Sequence, residues 1–235
     1  MRLAIMQPYF FPYLGYFQLI ASVDRFVVYD DVAFIKNGWI NRNRILAASG
    51  IEYFTVPLAG ASSFRSIRDT CCAPPSGWRD KMLRTLTQVY ARAPEREAGL
   101  AIAHRVLQAA DGCSVRDLAV SSMREICAYA DLPTSWQESS SAYGNAELTG
   151  VRRVIDICQK EKTTTYVNLP GGRSLYDPAV FAGNGLALGF LTPALEPYQQ
   201  ARAKEFTPGL SVLDLVMCVP RDEVRRRVRA GEVKF

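Results

Sequence analysis

The first thirty residues run strand, turn, helix, strand, and this order constrains the fold more than any other feature of the chain. Leu3-Ala-Ile-Met6 reads as a buried strand, residues 16–22 as a short helix, and Arg25-Phe-Val-Val-Tyr29 as a second strand. That length and order match a βαβ unit, which requires parallel strands and a helix packed across their sheet. The expected class is α/β, Rossmann-like, with a mostly parallel sheet.

The rest of the chain fits that start. Glu52-Tyr-Phe-Thr-Val-Pro-Leu58 is rich in aromatic and branched residues and reads as a third strand, with residues 66–72 as an edge strand beside it. Helical spacing of apolar residues at 78–90, 106–110 and 115–130 predicts an appended helical lobe over about 78–132. Residues 133–147 are polar and aperiodic and read as a loop or lobe boundary. The sheet is expected to resume from about 147, with a helix to 161, a strand at 164–169 and a helix capped by Asp177 with Pro178 first. A strand at 186–191 and helices at 210–217 and 222–228 complete a single α/β domain over 1–235.

Composition sets limits on function. An apolar share of 49% supplies a real core, while no run nears the roughly 20 apolar residues that span a bilayer. Arg2 leads at once into a strand with no signal-type segment, so a soluble cytoplasmic protein without membrane insertion is expected. The net charge of +5 is spread except at residues 221–229, a basic helix end without a base-stacking or groove-reading module, so no nucleic-acid partner is expected. Six cysteines show no C-x-x-C spacing and read as buried thiols, with Cys71 and Cys72 on opposite faces of a strand. His104 is the only histidine and sits in a helical pattern, where it reads as an exposed or capping residue, and no metal site is evident.

Chemistry concentrates in three loops that follow strands, where ligands of parallel sheets collect. Gln7 leaves the first strand and enters an aromatic turn fixed by two prolines, with Tyr13, Gly15 and Tyr16 at its end; Phe10 and Phe11 read as packing. Asp30 and Asp31 end the second strand, and adjacent carboxylates stay ionised only beside cations or donors, which Lys36, Arg42 and Arg44 lie near enough in sequence to supply. In an extended segment Arg42 and Arg44 share one side and Asn41 and Asn43 the other, suiting anion and polar-group recognition. The third loop offers Asn168, Gly171, Gly172, Ser174 and Tyr176. The expected catalytic set is Asp30, Asp31, Lys36 and Tyr16, with Gln7, Tyr13, Gly15, Asn41–Arg44 and the third loop binding substrate.

Together these stretches resemble the WbqC-like family. The resemblance rests on Met6–Phe17, Tyr29–Val32, Lys36–Ile45, Tyr166–Tyr176 and Phe206–Asp214, and runs nearly end to end. It implies a setting in O-antigen and other surface-glycan biosynthesis, where an amine on a nucleotide-linked sugar receives an acyl or aminoacyl group. In addition, Tyr13-Leu-Gly-Tyr16 is similar in position and spacing to the His-x-Gly-His motif of nucleotidyltransferases and pantothenate-synthetase-like ligases. Both histidines are tyrosines here, so either Lys36, Arg42 and Arg44 take over the stabilisation of a departing pyrophosphate or the site no longer performs adenylyl transfer. The expected function is amide formation by acyl or aminoacyl transfer to an amine, with ATP one candidate cofactor; the alternative is a non-catalytic protein binding a nucleotide-sugar or glycan intermediate.

Overall fold

The computed structural model describes residues 1–109 and 112–235. Its centre is β1 (Arg2–Met6), followed by α1 (Leu14–Ala21) and β2 (Arg25–Val28), with β1 and β2 parallel and Met6 opposite Val28. The alternation that makes β1 a strand also sorts its side chains. Leu3 and Ile5 enter one apolar cluster, while Ala4 enters another on the opposite face, so both faces are covered.

Residues 29–134 form a long excursion before the sheet resumes. It begins with a hairpin of β3 (Arg42–Ala47) and β4 (Gly50–Thr55), then pairs β5 (Leu58–Ala59) with β6 (Cys71–Cys72). Three helices follow: α2 (Trp78–Val89), α3 (Arg96–Gln108) and α4 (Val115–Tyr129). Ser114 caps α4 by accepting the Asp117 N–H at 3.1 Å. The helix expected at 106–110 is the end of α3, and its last position, Ala110, lies outside the described residues.

The sheet then continues through β7 (Ser135–Gln137), α5 (Gly150–Lys160), β8 (Thr165–Asn168), α6 (Pro178–Ala182) and β9 (Ala187–Thr192). Helices α7 (Val212–Cys218) and α8 (Arg221–Arg227) precede β10 (Glu232–Lys234). The order across the sheet is β10-β9-β8-β1-β2-β7, parallel except for β10 against β9. Thus the chain builds outward from β1 on one side and then returns to build on the other. Helices α5 and α6 cover the Leu3 face, and α1, the excursion helices, α7 and α8 cover the Ala4 face.

Three expectations need correction. The strand expected at 52–58 exists as β4, but it pairs only with β3 and stands outside the central sheet. The segment 133–147 is not simply a loop: β7 resumes the sheet at Ser135, pairing with β2, because Trp136 packs on Phe26 at 4.8 Å between ring centroids. At 66–72 only Cys71 and Cys72 are strand, paired with β5. The Asp177 cap is present, its carboxylate accepting the Ala179 N–H at 2.9 Å with Pro178 first in α6.

Candidate functional site

The first two loops meet beyond the carboxyl ends of β1 and β2. Phe10 donates its N–H to the Trp39 carbonyl at 2.9 Å, and Asn43 donates to the Phe10 and Phe11 carbonyls at 3.0 and 2.8 Å. Asn43 also accepts the Arg44 N–H at 2.8 Å and is buried. Phe11 has a φ of +41°, a strained value for a bulky residue. Ser122 accepts its N–H and Ser211 donates to its carbonyl, each at 2.9 Å, so the turn is over-determined. With Phe10 and Phe11 buried as its floor, the turn holds Tyr9 and Tyr13 in fixed positions above it.

Between these tyrosines lies a pocket of about 290 Å³, lined by Tyr9, Pro12, Tyr13, Trp39, Asn43, Arg44 and Gly209. Its walls are aromatic, but three donors in it lack partners. Arg44 gives one guanidinium N–H to the Gly209 carbonyl at 2.9 Å and lies over the Trp39 ring, 5.2 Å from its centroid, while its buried Nε has no hydrogen bond. The Tyr9 and Tyr13 hydroxyls have none among the described residues, and burial raises both phenol pKa values. Arg44 Nε is shut off from water and its missing bond carries a cost, whereas the two phenol hydroxyls open to the pocket and stay available to water or to a ligand.

Two glycines shape that pocket. A Cβ on Gly15 would sit 2.5 Å from the Tyr13 ring, so the ring lies directly on the backbone of α1. Gly209, at φ +71°, closes against the Arg44 guanidinium. Buried Asp214 anchors the segment carrying Gly209, accepting from Tyr198, Gln200 and Tyr90 at 2.7, 2.9 and 3.1 Å. Burial raises its carboxyl pKa, and those three donors oppose the rise.

The acids occupy a different environment. Asp30 is buried and accepts from Ser139 Oγ at 2.7 Å, the Ser140 N–H at 3.2 Å and Arg116 Nε at 3.1 Å. Asp31 pairs with Arg153 at 2.5 Å and accepts from the Ser140 hydroxyl, which in turn accepts the Asp30 N–H. Arg153 is also fixed by Asn145 at 3.0 Å and stacks 5.1 Å from the Tyr29 centroid. Burial raises the Tyr29 phenol pKa, and the Arg153 guanidinium opposes it.

The expected neutralising cations are therefore replaced. Arg116 from α4 and Arg153 from α5 hold the two acids, because the loop after Asp31 carries Lys36, Arg42 and Arg44 away to the β3–β4 hairpin. There Lys36, Asn41 and Arg42 line a second hollow of about 300 Å³ with Pro57 and Leu58. Arg42 bonds the Gly38 carbonyl at 3.2 Å and that of Asn37, and lies 4.5 Å over the Tyr53 ring. Arg42 and Arg44 share one face of β3, with Asn43 turned into the core. None of the three cations has a carboxylate partner among the described residues, leaving this face electropositive.

The remaining candidates divide in the same way. Tyr16 is fully buried, donates to the Gln7 carbonyl at 2.6 Å and presents no hydroxyl to a ligand. The Gln7 side-chain amide has no partner among the described residues. Asn41 donates to the Val56 carbonyl at 2.8 Å. Asn168 accepts its neighbour Leu169's N–H at 2.6 Å and donates to Tyr166 at 2.9 Å, shaping the turn rather than opening to it. Gly172 packs against Asn168 and donates its N–H to Leu169, Gly171 and Ser174 are exposed, and Tyr176 packs edge-on to Tyr166. Sequence reasoning missed Tyr9, Trp39 and Gly209 as pocket residues, although all three lie in the motif blocks. It also missed Arg116, Arg153, Ser139 and Ser140, which have no local signal.

Among the described residues, no cluster of three or more His, Cys, Asp or Glu could hold a metal ion, and no helix is long and apolar enough to cross a membrane. Fold and site together define a mixed α/β protein with a mostly parallel sheet and an aromatic, cationic pocket built by the loops at its carboxyl edge. The chain belongs to the WbqC-like protein family, which it matches over residues 7–226. It is also similar to an uncharacterized protein of Mycobacterium tuberculosis, with 30% identity over 239 residues, covering 93% of this chain and 94% of that protein. No solved structure matches it.

Proposed function

We propose that this protein is a cytoplasmic enzyme of amino-sugar or surface-glycan biosynthesis that forms an amide by acyl or aminoacyl transfer to an amine. The observation that carries the reading is the pocket walled by Tyr9, Tyr13 and Trp39 with the Arg44 guanidinium beside them. Aromatic walls suit a sugar ring or nucleobase, and the Arg44 guanidinium lining the pocket suits a carboxylate or phosphate oxygen. The acylating step itself rests on the surface-glycan setting that family resemblance implies. We read the chain as one domain with a helical lobe in the excursion. Its parallel strands, taken from β7 across to β9, run in the order 3-2-1-4-5, which supports a Rossmann-like reading with a switch point between β1 and β8. Gln7 and the 170–172 turn leave the sheet beside that point. ATP is a candidate co-substrate.

A second reading, a non-catalytic binder of a nucleotide-sugar or glycan intermediate, is favoured by one observation. Both acids are engaged in ion pairs, so neither stands free as a base. The two readings share the pocket and differ in turnover.

The test is a thermal-shift screen of nucleotide-linked amino sugars, acyl and aminoacyl donors and ATP, followed by mass analysis of products. A ligand at a hundredfold its Kd should add about 2.7 kcal/mol of stability. Arg44→Met should then weaken that ligand roughly 10- to 150-fold, the loss of one charged hydrogen bond. An unchanged Kd in that variant would remove the pocket from the reading.

A further inference from the structure

Away from this pocket, two thiols face each other without a role. The Cys72 N–H donates to the Cys113 carbonyl at 3.1 Å, and Cys71 forms a β-bridge with Ser114. This pairing sets the Cys113 thiol 3.8 Å from the Cys72 thiol, 41 residues away in sequence. Cys72 is buried, Cys113 is half-buried and Cys71 is exposed on the other face of β6. The four remaining cysteines show no such contact among the described residues.

We propose that Cys72 and Cys113 form a thiol–disulfide exchange site that closes to an intramolecular bond when it meets a small disulfide of the glutathione type. Cys113 is the accessible partner and attacks first; Cys72 resolves from the protected side. Their contact supports this division, since it lowers the Cys113 thiol pKa and raises that of Cys72.

Cys113, having given its proton to solvent, attacks one sulfur of the small disulfide. That S–S bond breaks, one half leaves as a thiolate and takes a proton, and the other half stays on Cys113. Cys72 then loses its proton and attacks the Cys113 sulfur, forming the protein disulfide and expelling the second half as a thiol. Two protein thiols are oxidised and one small disulfide is reduced to two thiols. The new bond ties β6 to the start of α4, three residues before Arg116 and its ion pair with Asp30.

The experiment exposes the intact chain to excess oxidised glutathione, blocks residual thiols by alkylation and maps the peptides by mass spectrometry. One cross-linked pair, Cys72 with Cys113, is expected, with loss of two hydrogen atoms, reversal by dithiothreitol and a higher Tm than the reduced chain. Cys71→Ser should leave this result unchanged, and Cys113→Ser, at a half-buried position, should abolish it. A bond involving Cys71, a glutathione adduct on Cys113 that never resolves, no reaction, or a lower Tm on oxidation would each overturn the proposal.

Discussion

Replacing Arg153 by methionine should destabilise the protein by about 3–5 kcal/mol, the usual cost of removing one partner from a buried ion pair. The guanidinium is 3% exposed and the Asp31 carboxylate 11%, so water compensates only in part for the lost partner. The same change leaves the Asn145 side-chain oxygen without its donor and removes the cation stacked on Tyr29, while methionine keeps much of the side-chain volume. Chemical denaturation at neutral pH reads this loss directly. The double variant Arg153→Met with Asp31→Asn should recover part of it, because no charge then remains unpaired. A loss below about 1 kcal/mol in the single variant would mean that the pair behaves like an exposed one.

The second large effect separates the two acids by their hydrogen bonds. Asp30 is saturated by Ser139, Ser140 and Arg116, whereas Asp31 has one arginine and one hydroxyl and retains acceptor capacity. Asp30→Asn should therefore act on stability, lowering it by about 1–3 kcal/mol, with turnover of the folded fraction little changed. If amide formation uses a carboxylate to accept the amine proton, Asp31→Asn should lose stability with the Arg153 ion pair and, in the fraction that folds, still bind ligand but lose roughly 10²–10⁴-fold in turnover. Steady-state kinetics on the ligand found by the stability screen makes the comparison. Equal turnover in both variants and the parent would defeat the acid–base role and bring the binding-protein reading forward.

These contrasts show which parts of the molecule were legible in sequence. The β1–α1–β2 unit is local, and its apolar runs declare it without reference to the rest of the chain. The side of β3 that presents Arg42 and Arg44 was equally readable, since alternation along a strand is a local property. What carried no local sign was pairing at distance: Asp30 meets Arg116 and Asp31 meets Arg153 across 86 and 122 residues. Asn43 shows a different limit. Its polarity reads as ligand chemistry, yet it is spent on backbone carbonyls of a strained turn, and only the positive φ of Phe11 reveals why. Strand β7 escaped notice because three residues at a sheet edge are too few to establish a period.

The placement of β1 between β2 and β8 also bears on how the chain is made. β2 follows β1 off the ribosome almost at once, but the last residue of β8 is 168 against 6 for β1. At ordinary translation speeds that interval is on the order of ten to thirty seconds. Throughout it, one edge of the future central strand shows unpaired backbone groups to its surroundings. A chain ending after Gln137, which has β1, β2 and β7 but lacks β8, should pellet under conditions where the intact chain stays in solution; a soluble fragment with protected β1 amides would contradict this. A central strand of the finished sheet is thus the one that waits longest for its second neighbour.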